Sequence, residues 1–392
     1  MFDAFPMVSA LNFARLGRLS LALLLGLFCL AFYLPLSSKA VNNIFYIGLA
    51  VPMLLWLLAR PRALVELRPF AWLFGLLALM VALDAGDPAG LKKALYLMLF
   101  FVACLFLSAR YWALHAPLLL FDLCSLGLLL FALTDWLWIW THSGQWIRYG
   151  RFLGESLNPV YFSLLLGFAL LYLWLFHIAE RLQQRSTWLM LLGLFVLSVL
   201  LVLCASIFQS RSTLLGYAVF FAGFLLYKRL FWLGLVLGLG LLLLAVLSGV
   251  DDLLVQRGLS YRLDIWQAAL QRWLGECSLW WGCGNDGALL LGHFHHPHSG
   301  YLAMLYRNGL VGALLFLIFA LLYLRYARSP GAPWLLLSLF GWGSLLTTTN
   351  GVLTSPQPLW IYFWLPTFMA IIAGQPQALQ RYLQRRDQAL RS

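Results

Sequence analysis

The sequence predicts an all-α membrane protein that crosses the bilayer about twelve times and carries one large loop on the non-cytoplasmic side. Two observations point there. Of 392 residues, 63% are hydrophobic and 10% are charged, whereas soluble domains carry about 25% charged residues. The remaining polar residues would not cover a soluble core of that size. The apolar residues also fall in runs long enough for spanning helices, and no recurring alternation marks a β-barrel.

A spanning helix needs roughly 20 apolar residues. Twelve candidate runs lie at about 19–36, 43–59, 70–84, 93–110, 117–140, 159–179, 187–207, 212–227, 230–250, 300–323, 333–349 and 358–374. No small-residue cleavage site follows the first run, so it reads as a retained helix and not as a signal peptide. Two connections are long: 141–158 and 251–298. Long loops in a compact bundle are usually functional. The chain thus divides into residues 1–250 (nine helices and the loop 141–158), the loop 251–298, helices ten to twelve over 299–374, and a basic tail, 375–392.

The net charge of +12 and pI near 9.6 would suggest nucleic acid in a soluble chain. Here the basic residues sit in short gaps between apolar runs, so topology explains them better. With the N-terminus in the cytoplasm, the inner side holds Arg15, Arg18, Arg60, Arg62, Arg68, Arg110, Arg181, Arg185, Lys228, Arg229, Arg325, Arg328, Arg381, Arg385, Arg386 and Arg391. Both termini are then cytoplasmic. Lys39, Lys92 and Lys93 snorkel to head groups on the other side. Arg148, Arg151, Arg211, Arg257, Arg262 and Arg272 remain outside against the rule, in three outward segments. Arg307 falls within a run.

The large loop has its own pattern. Leu263, Trp266, Leu270 and Trp273 recur at helical spacing, an amphipathic stripe suited to a membrane interface. A glycine-rich turn, Trp281-Gly282-Cys283-Gly284-Asn285-Asp286-Gly287, follows, and then His293, His295, His296 and His298. Cys277 and Cys283 are either a disulfide or two free thiols. Cys29, Cys104, Cys124 and Cys204 read as small core residues.

His298 follows Pro297, a residue type that suits the start of a helix. At a helix N-terminus the dipole lowers an imidazole pKa, and a neutral ring serves as a general base; the plainer reading is a polar residue at the lipid–water boundary. The histidine group contains no Cys ligand and no His-x-x-x-His pair, so an exposed polar loop explains it better than zinc does. Arg211 lies in Gln209-Ser210-Arg211-Ser212-Thr213, and Arg262 opens the interfacial helix. Guanidinium groups grip phosphate in bidentate fashion; the alternative is snorkelling to lipid phosphates. Asp251, Asp252, Asp264, Glu276, Asp286 and Glu155 form no paired-carboxylate signature. No Walker motif, Gly-x-Ser-x-Gly or dinucleotide fingerprint is present, which argues against a primary pump.

His298-Ser299, nine residues, then Gly309-Leu310-Val311-Gly312 resembles the pattern His-[Asn/Ser/Gln]-x9-Gly-x2-[Gly/Thr/Tyr] of the O-antigen ligase/polymerase superfamily. Tyr261-Arg262-x3-Trp266-x2-Ala269-Leu270, then Trp281-Gly282-x-Gly284, and Arg211 closing a helix ahead of the loop are similar to further family positions. The motifs cover roughly 200–320; helix number and loop extend the likeness to the whole chain. The resemblance implies a GT-C glycosyltransferase of the bacterial inner membrane with its active site facing the periplasm. It is nearest the ligases, which move glycan from undecaprenyl diphosphate to lipid A–core without nucleotide sugar, metal or other cofactor. His298 is then the catalytic base, Arg211 and Arg262 bind diphosphate, and Arg148 and Arg151 help with the diphosphate or with lipid A–core phosphates. Motif register favours His298 over its neighbours His295 and His296.

Within the superfamily, the alternatives are an O-antigen polymerase, whose acceptor is a second lipid-linked glycan, and a protein O-oligosaccharyltransferase, which usually has more C-terminal sequence. A secondary transporter or flippase fits twelve helices less well, because the helix middles are nearly free of charge and polar residues gather at the outer face.

Overall fold

A computed structural model describes residues 5–61, 63–82, 88–152, 155–156, 158–230, 232, 234, 236, 238–240, 243, 261–284, 287–327, 332–348 and 351–375. Most of the expected ninth helix (230–250), Arg257, Asp251, Asp252, Asp286, Arg328 and residues 376–392 lie outside these.

The described chain is helical: α1 (Phe5–Ala31), α2 (Ser38–Ala59), α3 (Arg68–Ala82), α4 (Pro88–Ser108), α5 (Tyr111–Ser143), α6 (Pro159–Arg185), α7 (Thr187–Ile207), α8 (Arg211–Lys228), α9 (Arg262–Glu276), α10 (Gly300–Tyr326), α11 (Ala332–Ser344) and α12 (Trp360–Ala373). Arg151–Phe152 pairs antiparallel with Glu155–Ser156 in the first long loop. Six helices among the described residues are long and apolar enough to cross a membrane: α2, most of α4, α5, α6, α7 and α10. The all-helical expectation of a membrane protein is met.

Boundaries differ from the apolar runs where turn chemistry intervenes. The first run was expected to reach residue 36, but helix α1 stops at Ala31, four residues before Pro35. A proline cannot donate to the helix and disfavours helical backbone just before itself. The next helix begins earlier than expected because the Ser37 side chain accepts from Ala40 N and caps it. Two π-helical turns, Tyr46–Ala50 and Trp360–Trp364, sit just ahead of Pro52 and Pro366. Such turns re-satisfy backbone groups that a proline frees, as lipid-embedded helices require.

Aromatic rings knit the bundle. Phe45 and Phe100 lie 4.9 and 5.1 Å, ring to ring, from fully buried Trp360, joining α2, α4 and α12. Helices α8 and α11 approach closely at Gly216, where an added Cβ would stand 2.6 Å from the Phe340 carbonyl oxygen. Small residues permit such contact where lipid supplies no hydrophobic drive. The helix middles hold an exception to the expected lack of charge: Asp122 of α5 is 1% exposed, with neither oxygen hydrogen-bonded.

Helix α10 is broken at Gly309, whose φ of 60° and ψ of −159° suit glycine alone. The hairpin after α9 fills the break. Leu310 N donates to Leu279 O and Val311 N to Trp280 O, while Cys283 N and Gly284 N donate to Tyr306 O and Arg307 O. The Cys277–Cys283 disulfide, left open by the sequence, closes this hairpin. Gly282 and Gly309 lie backbone to backbone: a Cβ on Gly309 would fall 2.5 Å from the Trp280 carbonyl carbon and 2.6 Å from Gly282 N. Gly309→Ala is therefore expected to lose at least about 1–3 kcal/mol of stability, read as a lower thermal midpoint in detergent. Gly275→Ala, with open space and no positive φ, is expected to leave the midpoint nearly unchanged.

Candidate active site

Arg211 opens α8 after a tight turn from α7. Gln209 takes a left-handed φ of 49°, and Ser210 N donates to Ala205 O at 2.7 Å. Hydroxyls pin this turn in place. Thr213 Oγ1 lies 2.8 Å from both Ser163 Oγ and Ser210 Oγ, and Thr347 Oγ1 donates to Ser212 Oγ at 2.8 Å. Hydroxyl bonds thereby tie the start of α8 to α6 and, separately, to the turn after α11.

Arg148 joins the same turn from the first long loop. Its Nε donates to Phe208 O at 3.0 Å, and Tyr149 N donates to Ile207 O at 3.0 Å.

Arg262 opens α9 directly after Tyr261, at φ 55°. The helix is held by Ile265, Ala269 and Trp273, buried against Leu290 and Tyr306 of α10. The stripe expected from the sequence is split. Trp273 faces this small core, whereas Leu263 and Leu270 are exposed at 52% and 38%. The buried face is instead the four-residue repeat of Ile265, Ala269 and Trp273. Trp266 Nε1 donates to Pro297 O at 2.9 Å and fixes the histidine segment against α9.

His298 lies before α10, not in its first turn. Ser299 is the cap: its Oγ accepts from Leu302 N, and α10 starts at Gly300. The expected role of Pro297 at the first helical position is corrected accordingly. His298 has φ 53°. Gln209, Tyr261 and His298 thus place left-handed, non-glycine backbone within two residues of each of the three central residues. Such strain persists only where surrounding structure over-determines it, and it concentrates at functional sites.

One cavity of about 330 Å³ is lined by Arg148, Arg211, Arg262, His296 and His298, with Asn158, Val160, Tyr161, Gln209, Thr347 and Thr348. Four of the five residues singled out from sequence therefore meet. Arg151 does not: with Arg148 it lines an adjoining cavity of about 350 Å³, together with Asp135, Trp136, Ile139, Ile147, Tyr149 and Gly150. Arg148 stands between the two.

Electrostatics favour an uncharged imidazole. Burial, and then the Arg262 guanidinium, hold the His298 pKa below its ordinary value of 6.5. His296, its ring centroid 4.1 Å from that of His298, is pushed down to about 4 by burial, then by His298, Arg307 and His295. His293 and His295 are exposed, and no group of three metal-ligating residues comes together among the described residues. The cavity can hold an anion against its arginines while a neutral ring accepts a proton.

Sequence reasoning missed the uncharged wall of Asn158, Gln209, Thr347 and Thr348. No signal in the chain marks amides and hydroxyls at helix ends as a group. No family model matches the chain, and no solved structure matches it. Over 378 residues it is 29% identical to a protein of Pseudomonas aeruginosa named O-antigen ligase, covering 88% of this chain and 87% of that protein. The likeness to an O-antigen ligase thus runs through most of the chain, and this membrane protein is similar to that protein from end to end of the matched region.

Proposed function

We propose that the protein is a GT-C glycosyltransferase that moves O-antigen glycan from undecaprenyl diphosphate onto lipid A–core, as an O-antigen ligase. In this reading the chain crosses the bacterial inner membrane twelve times, with both termini cytoplasmic and the cavity facing the periplasm.

The observation that carries the reading is the common cavity of Arg148, Arg211, Arg262 and a half-buried His298 held neutral. Arg211 and Arg262, with Arg148, bind the diphosphate and stabilise the negative charge that grows on it as the glycosidic C–O bond breaks. The bonding pair leaves with the diphosphate. Because diphosphate is a good leaving group, charge stabilisation replaces a general acid. His298 takes the proton from the acceptor hydroxyl, whose oxygen attacks the anomeric carbon from the opposite face and inverts it. Arg151, which lines the adjoining cavity with Arg148, is assigned in this scheme to phosphates of the acceptor. No cofactor enters the scheme.

The test is reconstitution of the purified full-length protein with lipid-linked glycan and lipid A–core. The expected product is glycan on lipid A–core. A longer lipid-linked glycan would instead mark a polymerase, and no new glycosidic bond would remove the reading altogether.

A further inference from the structure

We propose that Thr347 and Thr348 form the acceptor-sugar subsite, each accepting a hydrogen bond from a hydroxyl next to the one that attacks. The inference rests on the glycosyl-transfer reading above and deepens it.

Both threonines line the cavity that His298 lines, and both are nearly buried, at 8% and 4% exposed. Their protons are already committed. Thr347 Oγ1 donates to Ser212 Oγ at 2.8 Å, and Thr348 Oγ1 donates to Ser344 O at 2.7 Å. A hydroxyl has one proton and two lone pairs, so each oxygen is left with acceptor capacity only. An ionised phosphate oxygen also only accepts and gains nothing there. A sugar hydroxyl donates and fits. The cavity thus offers two chemistries: guanidinium donors suit the diphosphate, and committed hydroxyls suit a polyol.

Register favours the acceptor over the donor glycan. Gly300 N donates to Leu345 O at 2.8 Å, which ties the start of α10 to the end of α11. His298 and the Thr347–Thr348 pair each lie two or three residues from this bond. The hydroxyl that attacks must reach His298, so the hydroxyl beside it on the same ring reaches the threonines. The ligand class is a sugar bearing a hydroxyl adjacent to the reacting one.

The experiment uses full-length protein with undecaprenyl-diphosphate-linked glycan as donor and O-antigen-free lipopolysaccharide as acceptor, each titrated in turn. Thr348→Val is expected to raise acceptor KM roughly tenfold, in line with the loss of one buried neutral hydrogen bond, with donor KM unchanged; Thr347→Val, which also removes the bond to Ser212 beside Arg211, is expected to raise acceptor KM at least as much. Thr347→Ser and Thr348→Ser keep the hydroxyl and are expected to restore acceptor KM. A rise in donor KM alone, or no change in either constant, overturns the acceptor assignment while wild-type transfer still stands. Failure of the wild-type protein to transfer glycan at all removes the functional reading, and this inference with it.

Discussion

His298→Ala is expected to lower kcat for glycan transfer by roughly 10²–10⁴-fold, the range a positioned general base contributes, with donor KM near wild type. The backbone that carries the ring is fixed in three ways. It is held at φ 53°, Trp266 pins the preceding Pro297 carbonyl, and Ser299 caps the helix that follows. Alanine removes the proton acceptor without touching those anchors, so the fold should persist; the thermal midpoint in detergent checks this. His296→Ala is the informative companion. That ring shares the cavity, but a pKa pushed down to about 4 makes it a weak base at neutral pH. Its removal is expected to cost less activity than removal of His298. Near-wild-type turnover of His298→Ala would show that the base assignment is wrong.

Arg211→Ala is expected to lower kcat/KM by roughly 10²–10³-fold, the loss typical of removing one donor to a developing oxyanion. Arg211 stands in the first turn of α8, where unpaired backbone N–H groups and the helix dipole already favour an anion. The guanidinium adds a fixed fork of donors that lysine cannot reproduce, so Arg211→Lys should recover only part of the loss. Steady-state kinetics with varied donor measure both variants. Equal kinetics for Ala and wild type would leave the diphosphate without its proposed partner.

The bundle was legible because lipid leaves few choices. A run of apolar residues in hydrocarbon must be helical to satisfy its backbone, and most of the expected runs meet helices at nearly their stated positions. Ends depended on local chemistry that hydropathy ignores, as Pro35 and Ser37 show between the first two helices. Asp122 escaped because one carboxylate barely alters the hydropathy of a 33-residue helix. The break at Gly309 escaped for a related reason: a glycine in an apolar run looks ordinary until its φ and its neighbour Gly282 are seen.

The site was legible in its charged members only. Arg211 and Arg262 stood out because charge near a bilayer is expensive, His298 because of its place before a helix, and the order of the motifs tied the three together. Their distance along the chain did not. What joins them is the set of hydroxyl bonds among Ser163, Ser210 and Thr213 and between Ser212 and Thr347, with the Trp266–Pro297 bond. Serine and threonine are common at helix ends as caps and turn formers, so their spacing carries no message about a cavity. Arg151 shows the converse. It sits three residues from Arg148, yet the short hairpin it begins turns it towards a different cavity.

The most direct measurement is the pH dependence of kcat/KM for transfer, in wild type and in Arg262→Gln. Burial and the Arg262 cation both favour neutral His298. The active, deprotonated ring is then fully present above its lowered pKa, and activity is lost as pH falls through it. Wild type is expected to show an acid limb with its midpoint below pH 6.5, and the midpoint is expected to move upward once the Arg262 charge is gone. A wild-type midpoint above 6.5, or a midpoint that does not respond to Arg262→Gln, would contradict a neutral imidazole working beside that guanidinium.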